Sequence, residues 1–494
     1  MNTEPRDSAY SLDRTFIGGL AWSAGSKWLT QGLSWASVLI VARLLSPGDF
    51  GLVEMAGSFF VIANVLAEFG IGSAVVQMRG LDRDALGQLN ALSLLFATIT
   101  FGIAWLCAPA IASFFHAPEV ETLVAVNSIV FFIIGFQAVP SGILRRDLDY
   151  RRISICDAVL STVQAVVTVI AAWLGMAYWA LVIGQLTGRA CSALLVITWT
   201  RVPFRRPRLA VVKAPFRFGY HVSVANLSGT ISAMSDAVVV GRKLGDALLG
   251  HYRMAITLAY APIDKVGSLI MRVTGPLFAK IQADHALLRR YFLIFTESLA
   301  LTILPMSVGI ALVAPELVAV VLGPKWGESV GALRFLSLFC SVRLIAILIN
   351  QILFALNRTR FTMHLSLISL AVMPAAFWFA ADVGLAAIGA SWLLLAFINV
   401  LPGYVRVARD IELRSRDFLN ALFPSIAASL VMALGVHAVR AYFPAGGAQP
   451  WLKLLTAVVA GAIIYGAFLL LFFRGRFSRY IAFATSLRSG DSPQ

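Results

Sequence analysis

The chain has 494 residues, 59% of them hydrophobic and only 13% charged, with a mean hydropathy of +0.82. That balance excludes a water-soluble globular protein of this length and puts the chain in a bilayer. The formal charge of +15 would suit nucleic acid, but the Lys and Arg gather in alternate connections between apolar runs, a pattern that sets membrane orientation and meets anionic lipid.

A span needs about 20 apolar residues. Fourteen are predicted in chain order, at 16–42, 50–76, 88–108, 121–143, 154–174, 177–199, 217–241, 247–270, 291–313, 330–355, 361–381, 384–404, 418–440 and 451–473. The fold class is therefore all-α and polytopic. The opening MNTEPRDSAYSLDR carries as many acids as bases and lacks the basic start of a secretory signal, so it is expected to stay on the chain. Arg145, Arg146, Arg151 and Arg152 crowd one connection and Arg406, Arg409, Arg414 and Arg416 another, whereas 109–120 has none. By the positive-inside rule both termini face the cytoplasm and the span count is even.

Between the first two spans, VLIVARLLSPGDFGLV (38–53) makes a tight polar turn, with Pro47 and Gly48 at the bend and Asp49 beside Arg43 keeping it wet. Shifted by 199 residues the pattern returns in VVVGRKLGDALLGHY (238–252): Arg43 over Arg242, Leu45 over Leu244, Gly51 over Gly250. Six spans separate the copies, so both cross in the same sense, and parallel repeats of this kind predict two bundles about a pseudo-two-fold axis along the membrane normal. The predicted domains are an N-lobe at 1–200, a cytoplasmic linker at 201–216, a C-lobe at 217–410 and, at 411–494, two extra helices with a polar tail.

Catalytic chemistry is not indicated. Gly25-Ser26-Lys27 lacks the Gly-Lys pair of a phosphate loop, the six histidines have no metal-ligand spacing, and no cofactor is expected. Cys107, Cys156, Cys191 and Cys340 fall in or at the ends of spans and read as buried small hydrophobes. Asp147-Leu148-Asp149 mimics a metal-binding carboxylate pair but sits in a ten-residue loop, which favours a solvated surface.

The informative residues are ionisable groups at membrane depth, which face a bundle interior or aqueous cavity because exposure to lipid costs about 2.5–3.5 kcal/mol each. Lys27 lies mid-span, on a polar stripe with Ser23, Thr30, Ser34 and Ser37 and with Gln31 beside them. The stripe is expected to line a path, and its counterpart on span seven carries Asn226, Thr230 and Asp236. Glu54, Ser58 and Glu68 share one face of span two, within about 40°. Arg189, Glu297 and Arg343 complete the set, while Arg253, Lys265, Arg334 and Lys453 lie nearer span ends and are expected to snorkel. Lys27, Gln31, Arg189, Asn226 and Arg343 are the candidate substrate contacts, since bases in a dry cavity compensate an anionic head such as a diphosphate. Glu54, Glu68, Asp236 and Glu297 are the candidate ion-coupling groups, able to carry a proton or sodium ion. The same charges would equally serve as buried pairs that only tie helices together.

ARLLSPGDFGLV (42–53), EFGIGSAVVQ (68–77), VPSGILRRDLDYRR (139–152), YWALVIGQL (178–186), FRFGYHVSVANL (216–227), DAVVVGRKLGDALLGHY (236–252) and LGPKW (322–326) resemble the polysaccharide exporters of the multidrug/oligosaccharidyl-lipid/polysaccharide superfamily, the Wzx-type flippases. The resemblance runs through residues 15–410 and is to exporters of exopolysaccharide, succinoglycan-like polymers included, and of lipopolysaccharide. It implies two six-helix lobes in a V, two extra C-terminal helices, and transfer of an undecaprenyl-diphosphate-linked oligosaccharide from the inner to the outer leaflet of a bacterial inner membrane. The implied partners are that lipid-linked oligosaccharide, membrane lipids, and a polysaccharide polymerase and co-polymerase. Glu68 stands where Asp is commoner and Arg253 where a small residue is expected, which leaves the coupling ion open. A cation-coupled multidrug antiporter on the same scaffold is the nearest alternative. A membrane polymerase or ligase would need an outer loop longer than the stretch 314–329.

Overall fold

The computed structural model describes residues 31–78, 80–441 and 449–474, with most side chains along 209–233 and 264–272 outside that description. Every secondary-structure element among the described residues is helical. Eleven helices there are long and apolar enough to cross a membrane. By Cα packing the chain divides into two compact units, Met1–Gly250 and His251–Gln494.

The first unit holds α1 (Gln31–Leu44), α2 (Pro47–Glu68), α3 (Ile71–Gln77), α4 (Arg83–Phe115), α5 (Glu119–Asn127), α6 (Ile129–Arg146), α7 (Tyr150–Trp173) and α8 (Trp179–Thr200), followed by the first part of α9 (Leu209–Lys280). The predicted second span breaks into α2 and α3 because Phe69 and Gly70 both turn left-handed, at φ 40° and 62°. The predicted fourth span lies within Glu119–Arg146, where α5 and α6 follow one another through Ser128, which keeps right-handed helical angles at φ −58° and ψ −20°. Helices leaving the basic connections start on aspartate: Asp82 accepts from the Ala85 amide at 2.7 Å and Asp149 from the Arg152 amide at 3.1 Å. Each satisfies an amide the helix cannot, which is worth about 1 kcal/mol. Asp147-Leu148-Asp149 is thus a capping turn, with Asp147 paired to Arg146 and Asp149 to Arg152.

Lipid tails are as apolar as leucine, so close backbone approach and dispersion hold such helices together. The crossing of α7 and α8 shows this in Gly184 and Gly188, a small-xxx-small pair. A methyl on Gly184 would come within 1.9 Å of Thr168 Oγ1, and one on Gly188 within 2.7 Å of the Leu160 carbonyl oxygen. On α6, Gly135 lies against Ala97 and Ser93 of α4 in the same way.

The turn before α2 is tighter than the sequence suggests. Ser46 and Asp49 form a capping box. Asp49 accepts from the Ser46 amide at 2.8 Å and also from the Tyr178 amide at 3.1 Å, so it ties the turn to the start of α8 as well. Across from it, α9 is two helices joined at Gly245, whose φ of 85° and ψ of −179° only glycine adopts readily. The two turns touch reciprocally. A methyl on Gly51 would lie 1.8 Å from the Asp246 carbonyl oxygen, and one on Gly250 would lie 1.8 Å from the Pro47 carbonyl oxygen. Asp246 is Pro47 shifted by 199 and Gly250 is Gly51 shifted by 199, so each copy of the turn presents its glycine to the other's carbonyl.

Residues 201–208, expected as a linker, are strapped to the start of α4. The Arg205 amide donates to the Gly87 carbonyl at 3.1 Å, the Arg208 amide to Gln88 Oε1 at 2.9 Å, and Arg205 pairs with Asp84 at 3.7 Å.

The second unit holds the remainder of α9, then α10 (His285–Leu312), α11 (Ala314–Val321), a 3-10 turn (Pro324–Trp326), α12 (Ser329–Ala355), α13 (Thr359–Ala381), α14 (Leu385–Asp410), α15 (Ser415–Ala441) and α16 (Pro450–Phe472). The stretch 314–329, read from sequence as a connection, is mostly helical. It buries Val318 and Trp326, and His251 meets the Trp326 ring edge-on at 5.5 Å. Ser329 donates to the His251 carbonyl at 2.9 Å. Helices α15 and α16 pack on α10 and α11 through Leu301, Val313, Met432, Val436 and Leu469. Tyr465 donates to the Leu301 carbonyl at 2.8 Å, and Arg440 pairs with Glu316 at 2.7 Å while donating to the Leu312 carbonyl. Outward-facing Leu106, Leu394, Leu434 and Leu471 are more than two-thirds exposed, as a lipid-facing surface requires.

Candidate transport site

Among the sequence candidates, the structure brings Glu68 and Arg189 together in the first unit. Glu68 closes α2 with its side chain exposed; Arg189 is half-buried on α8. Each feels the other's charge, and Glu68 also feels Arg145 at the end of α6. Two arginine charges thus act on one carboxylate, leaving a net positive charge. The position of Glu68 is fixed by the left-handed break behind it. The Phe69 ring stacks on Phe96 of α4 at 4.4 Å and lies 4.9 Å from Phe216 of α9, an aromatic block next to the charged cluster.

Arg145 is the member that sequence reasoning missed. It falls in LRRDLDYRRI, which hydropathy reads as a loop, whereas α6 continues through Arg146. The helix runs to Arg146 and the chain then reverses at Leu148, left-handed at φ 55°, a leucine that nothing in the sequence marks as a turn.

The proposed polar stripe on the first span is supported less well. Lys27, Ser23 and Thr30 lie outside the described residues, and Gln31 is the first described residue, half-buried at the start of α1. Ser37 is buried and donates to the Ala165 carbonyl of α7 at 3.2 Å, so its hydroxyl is turned into helix packing rather than toward a path. On α2, Glu54 is half-buried, but Ser58 is buried and returns its hydroxyl to the Met55 carbonyl at 2.7 Å. The shared polar face predicted for Glu54, Ser58 and Glu68 is therefore interrupted. A serine hydroxyl is small enough to be satisfied by a neighbouring carbonyl, so its polarity does not reveal which way it faces.

On α9, the side chains of Asn226 and Lys265 are outside the described set. Asp236 is buried in the first unit, 5% exposed, and its Oδ1 accepts from the Ala237 amide at 2.8 Å. In the second unit Glu297 is half-buried on α10, and the half-buried Arg343 of α12 holds its guanidinium 4.6 Å over the Tyr260 ring. This cation–π contact stabilises the charge without neutralising it. Arg253 and Arg334 are exposed and Lys453 half-buried, in keeping with snorkelling. No group of three or more His, Cys, Asp or Glu suited to a metal ion occurs among the described residues.

With that geometry in place, likeness to known proteins becomes informative. A family model described as polysaccharide biosynthesis protein matches residues 40–331. The succinoglycan biosynthesis transport protein ExoT of Rhizobium meliloti is 25% identical, over 97% of this chain and 98% of its own. The teichuronic acid biosynthesis protein TuaB of Bacillus subtilis is 25% identical over 92% and 95%. The lipopolysaccharide biosynthesis protein WzxC of Escherichia coli is 24% identical over 80% and 81%. Among solved structures, the lipid II flippase MurJ in an inward closed conformation superposes with a TM-score of 0.72 at 14% identity, covering 92% of this chain and 99% of that one. An inward-facing multidrug resistance transporter of the MATE family, in the MOP superfamily, gives 0.62 at 20% identity over 77% and 96%. These superpositions show a shared fold. With the family model spanning more than half of its length, this multi-pass membrane chain belongs to the polysaccharide biosynthesis protein family.

Proposed function

We propose that the chain flips an undecaprenyl-diphosphate-linked oligosaccharide repeat unit across a bacterial inner membrane, for exopolysaccharide or lipopolysaccharide synthesis, by alternating access. In this reading fourteen spans form two six-helix lobes about a pseudo-two-fold axis plus two C-terminal helices, with both termini cytoplasmic. The chain moves its cargo and changes no bond in it. The observation that carries the reading is the net positive cluster of Arg145, Arg189 and Glu68 on three helices of one unit. A diphosphate would compete with Glu68 for the two guanidinium groups, which favour bidentate contact with phosphate. Lys27, Gln31, Asn226 and Arg343 are proposed to add contacts along the route, and Glu54, Glu68, Asp236 and Glu297 to couple transport to a cation. The polyprenyl tail stays in lipid outside the helices. A polymerase and a co-polymerase are the proposed recipients of the flipped unit.

The test uses cells whose sole copy is Arg189→Ala, Arg189→Lys, Glu68→Gln or Lys27→Ala, with membrane protein levels matched by immunoblot. Export is expected to fall at least tenfold in Arg189→Ala while lipid-linked repeat units accumulate on the inner leaflet, with partial recovery in Arg189→Lys. Normal export by Arg189→Ala and Lys27→Ala at normal protein levels removes their assigned role. Unchanged polymer with new sensitivity to cationic dyes would instead assign the chain to multidrug efflux.

A further inference from the structure

A second charged feature lies away from that cluster. Where α12 gives way to α13, Asn357 turns left-handed, at φ 57°, and the Arg358 amide donates back to the Leu353 carbonyl at 2.7 Å. Helix α13 starts at once, with no side chain capping its first turn. Beside this corner a cavity of about 530 Å³ is lined by Arg358, Arg360, Phe361, His364 and Arg406, with Asn357 and Thr359 at the corner itself. Asp410, from the end of α14, accepts from Arg358 Nε at 2.9 Å and Nη2 at 3.1 Å, and from Arg406 Nε at 3.2 Å. One carboxylate therefore holds two guanidinium groups side by side at the cavity. Arg360 makes no ion pair among the described residues and is exposed, and His364 follows it one helical turn later on the same face. Three arginines against one carboxylate, together with the bare N-terminus of a 23-residue helix, form a site for an anion.

The surroundings indicate what carries that anion. The next turn of α13 presents Met363 and Leu367, and the neighbouring helices present Phe354 and Leu401, all exposed large apolar side chains. A ligand filling the cavity would have its charge among the arginines and its next atoms against hydrocarbon. The connections 356–360 and 405–417 also belong to the basic set that the charge pattern assigns to the cytoplasmic side. We infer that this cavity binds the phosphate headgroup of an anionic glycerophospholipid of the inner leaflet, with its acyl chains along Met363 and Leu367. The site is independent of the transport reading, since it shares no residue with the Glu68 cluster.

Native mass spectrometry of the purified full chain in neutral detergent tests it, with dioleoyl-phosphatidylglycerol, dioleoyl-phosphatidylcholine and inorganic pyrophosphate as probes. Phosphatidylglycerol is expected to bind in preference to phosphatidylcholine. Loss of one charge-assisted contact should weaken it about tenfold in Arg360→Ala, and further in Arg360→Glu. Arg151→Ala, an exposed arginine elsewhere on the same side, should leave binding unchanged. Equal phosphatidylglycerol binding by wild type and Arg360→Glu overturns the site. Displacement of the lipid by an equal concentration of pyrophosphate overturns the lipid assignment and makes the cavity a small-anion site. Arg360 makes no ion pair among the described residues, so its variants leave the Arg358–Asp410–Arg406 joint intact, and wild-type retention on size exclusion confirms that they are folded.

Discussion

Gly51→Ala is the sharpest perturbation the structure offers. The new methyl would sit 1.8 Å from the Asp246 carbonyl oxygen, 2.5 Å from its carbon and 2.8 Å from its Cα. All three atoms are main chain, so no rotamer change relieves the clash. Restoring ordinary contact at 3.4 Å means separating the two turns by about 1.6 Å. Overpacking a tight site costs about 1–3 kcal/mol, and a backbone obstacle belongs at the upper end, about 2–3 kcal/mol. For a unit of this size that lowers an apparent Tm by about 4–12 °C, measured in detergent at a fixed scan rate by fluorescence-detected size exclusion. Gly102→Ala is the control: it lies inside α4 with nothing within 4 Å, so it should leave Tm unchanged or raise it. The reciprocal geometry adds a second expectation. Gly250→Ala meets the Pro47 carbonyl at the same 1.8 Å, and one separation of the turns relieves both clashes. The double variant should therefore lose less than the sum of the two single losses. A wild-type Tm for Gly51→Ala, or an equal fall for Gly102→Ala, refutes the reasoning.

Two further outcomes concern single positions. Gly245→Ala meets no atom within 4 Å yet must hold φ 85°, so its cost is conformational alone, about 1–3 kcal/mol. Gly245→Asn should not rescue it, because ψ there is −179°, outside the left-handed helical well that asparagine tolerates; a wild-type Tm for either variant contradicts this. Ser37→Ala removes the bond to the Ala165 carbonyl and should cost about 0.5–1.5 kcal/mol of stability while leaving polymer export normal. Loss of export at normal protein level would return Ser37 to the transport path.

The helices were legible from hydropathy because a bilayer imposes one demand, a continuous apolar run, at nearly every residue. Less legible was what interrupts or terminates them. Phe69 breaks a predicted span with an ordinary residue, and Ala314–Val321 is helical although its length matches a loop. The internal repeat gave no hint that Gly51 and Gly250 would meet, although it identified both. The charged site was legible in part. Glu68 and Arg189 stand out because ionised groups at depth need a reason, but Arg145 was hidden by five flanking arginines and aspartates that look like solvent. Polar stripes misled at Ser37 and Ser58, where hydroxyls are consumed by nearby carbonyls.

The meeting of Gly51 and Gly250 is made of peptide groups alone. Its touching atoms are all main chain, so its fit depends on shape, while the carboxylate of Asp49 holds the turn that carries one side of it. No residue is smaller than glycine, so neither position has a conservative replacement, and a larger side chain at one could not be offset by trimming its counterpart.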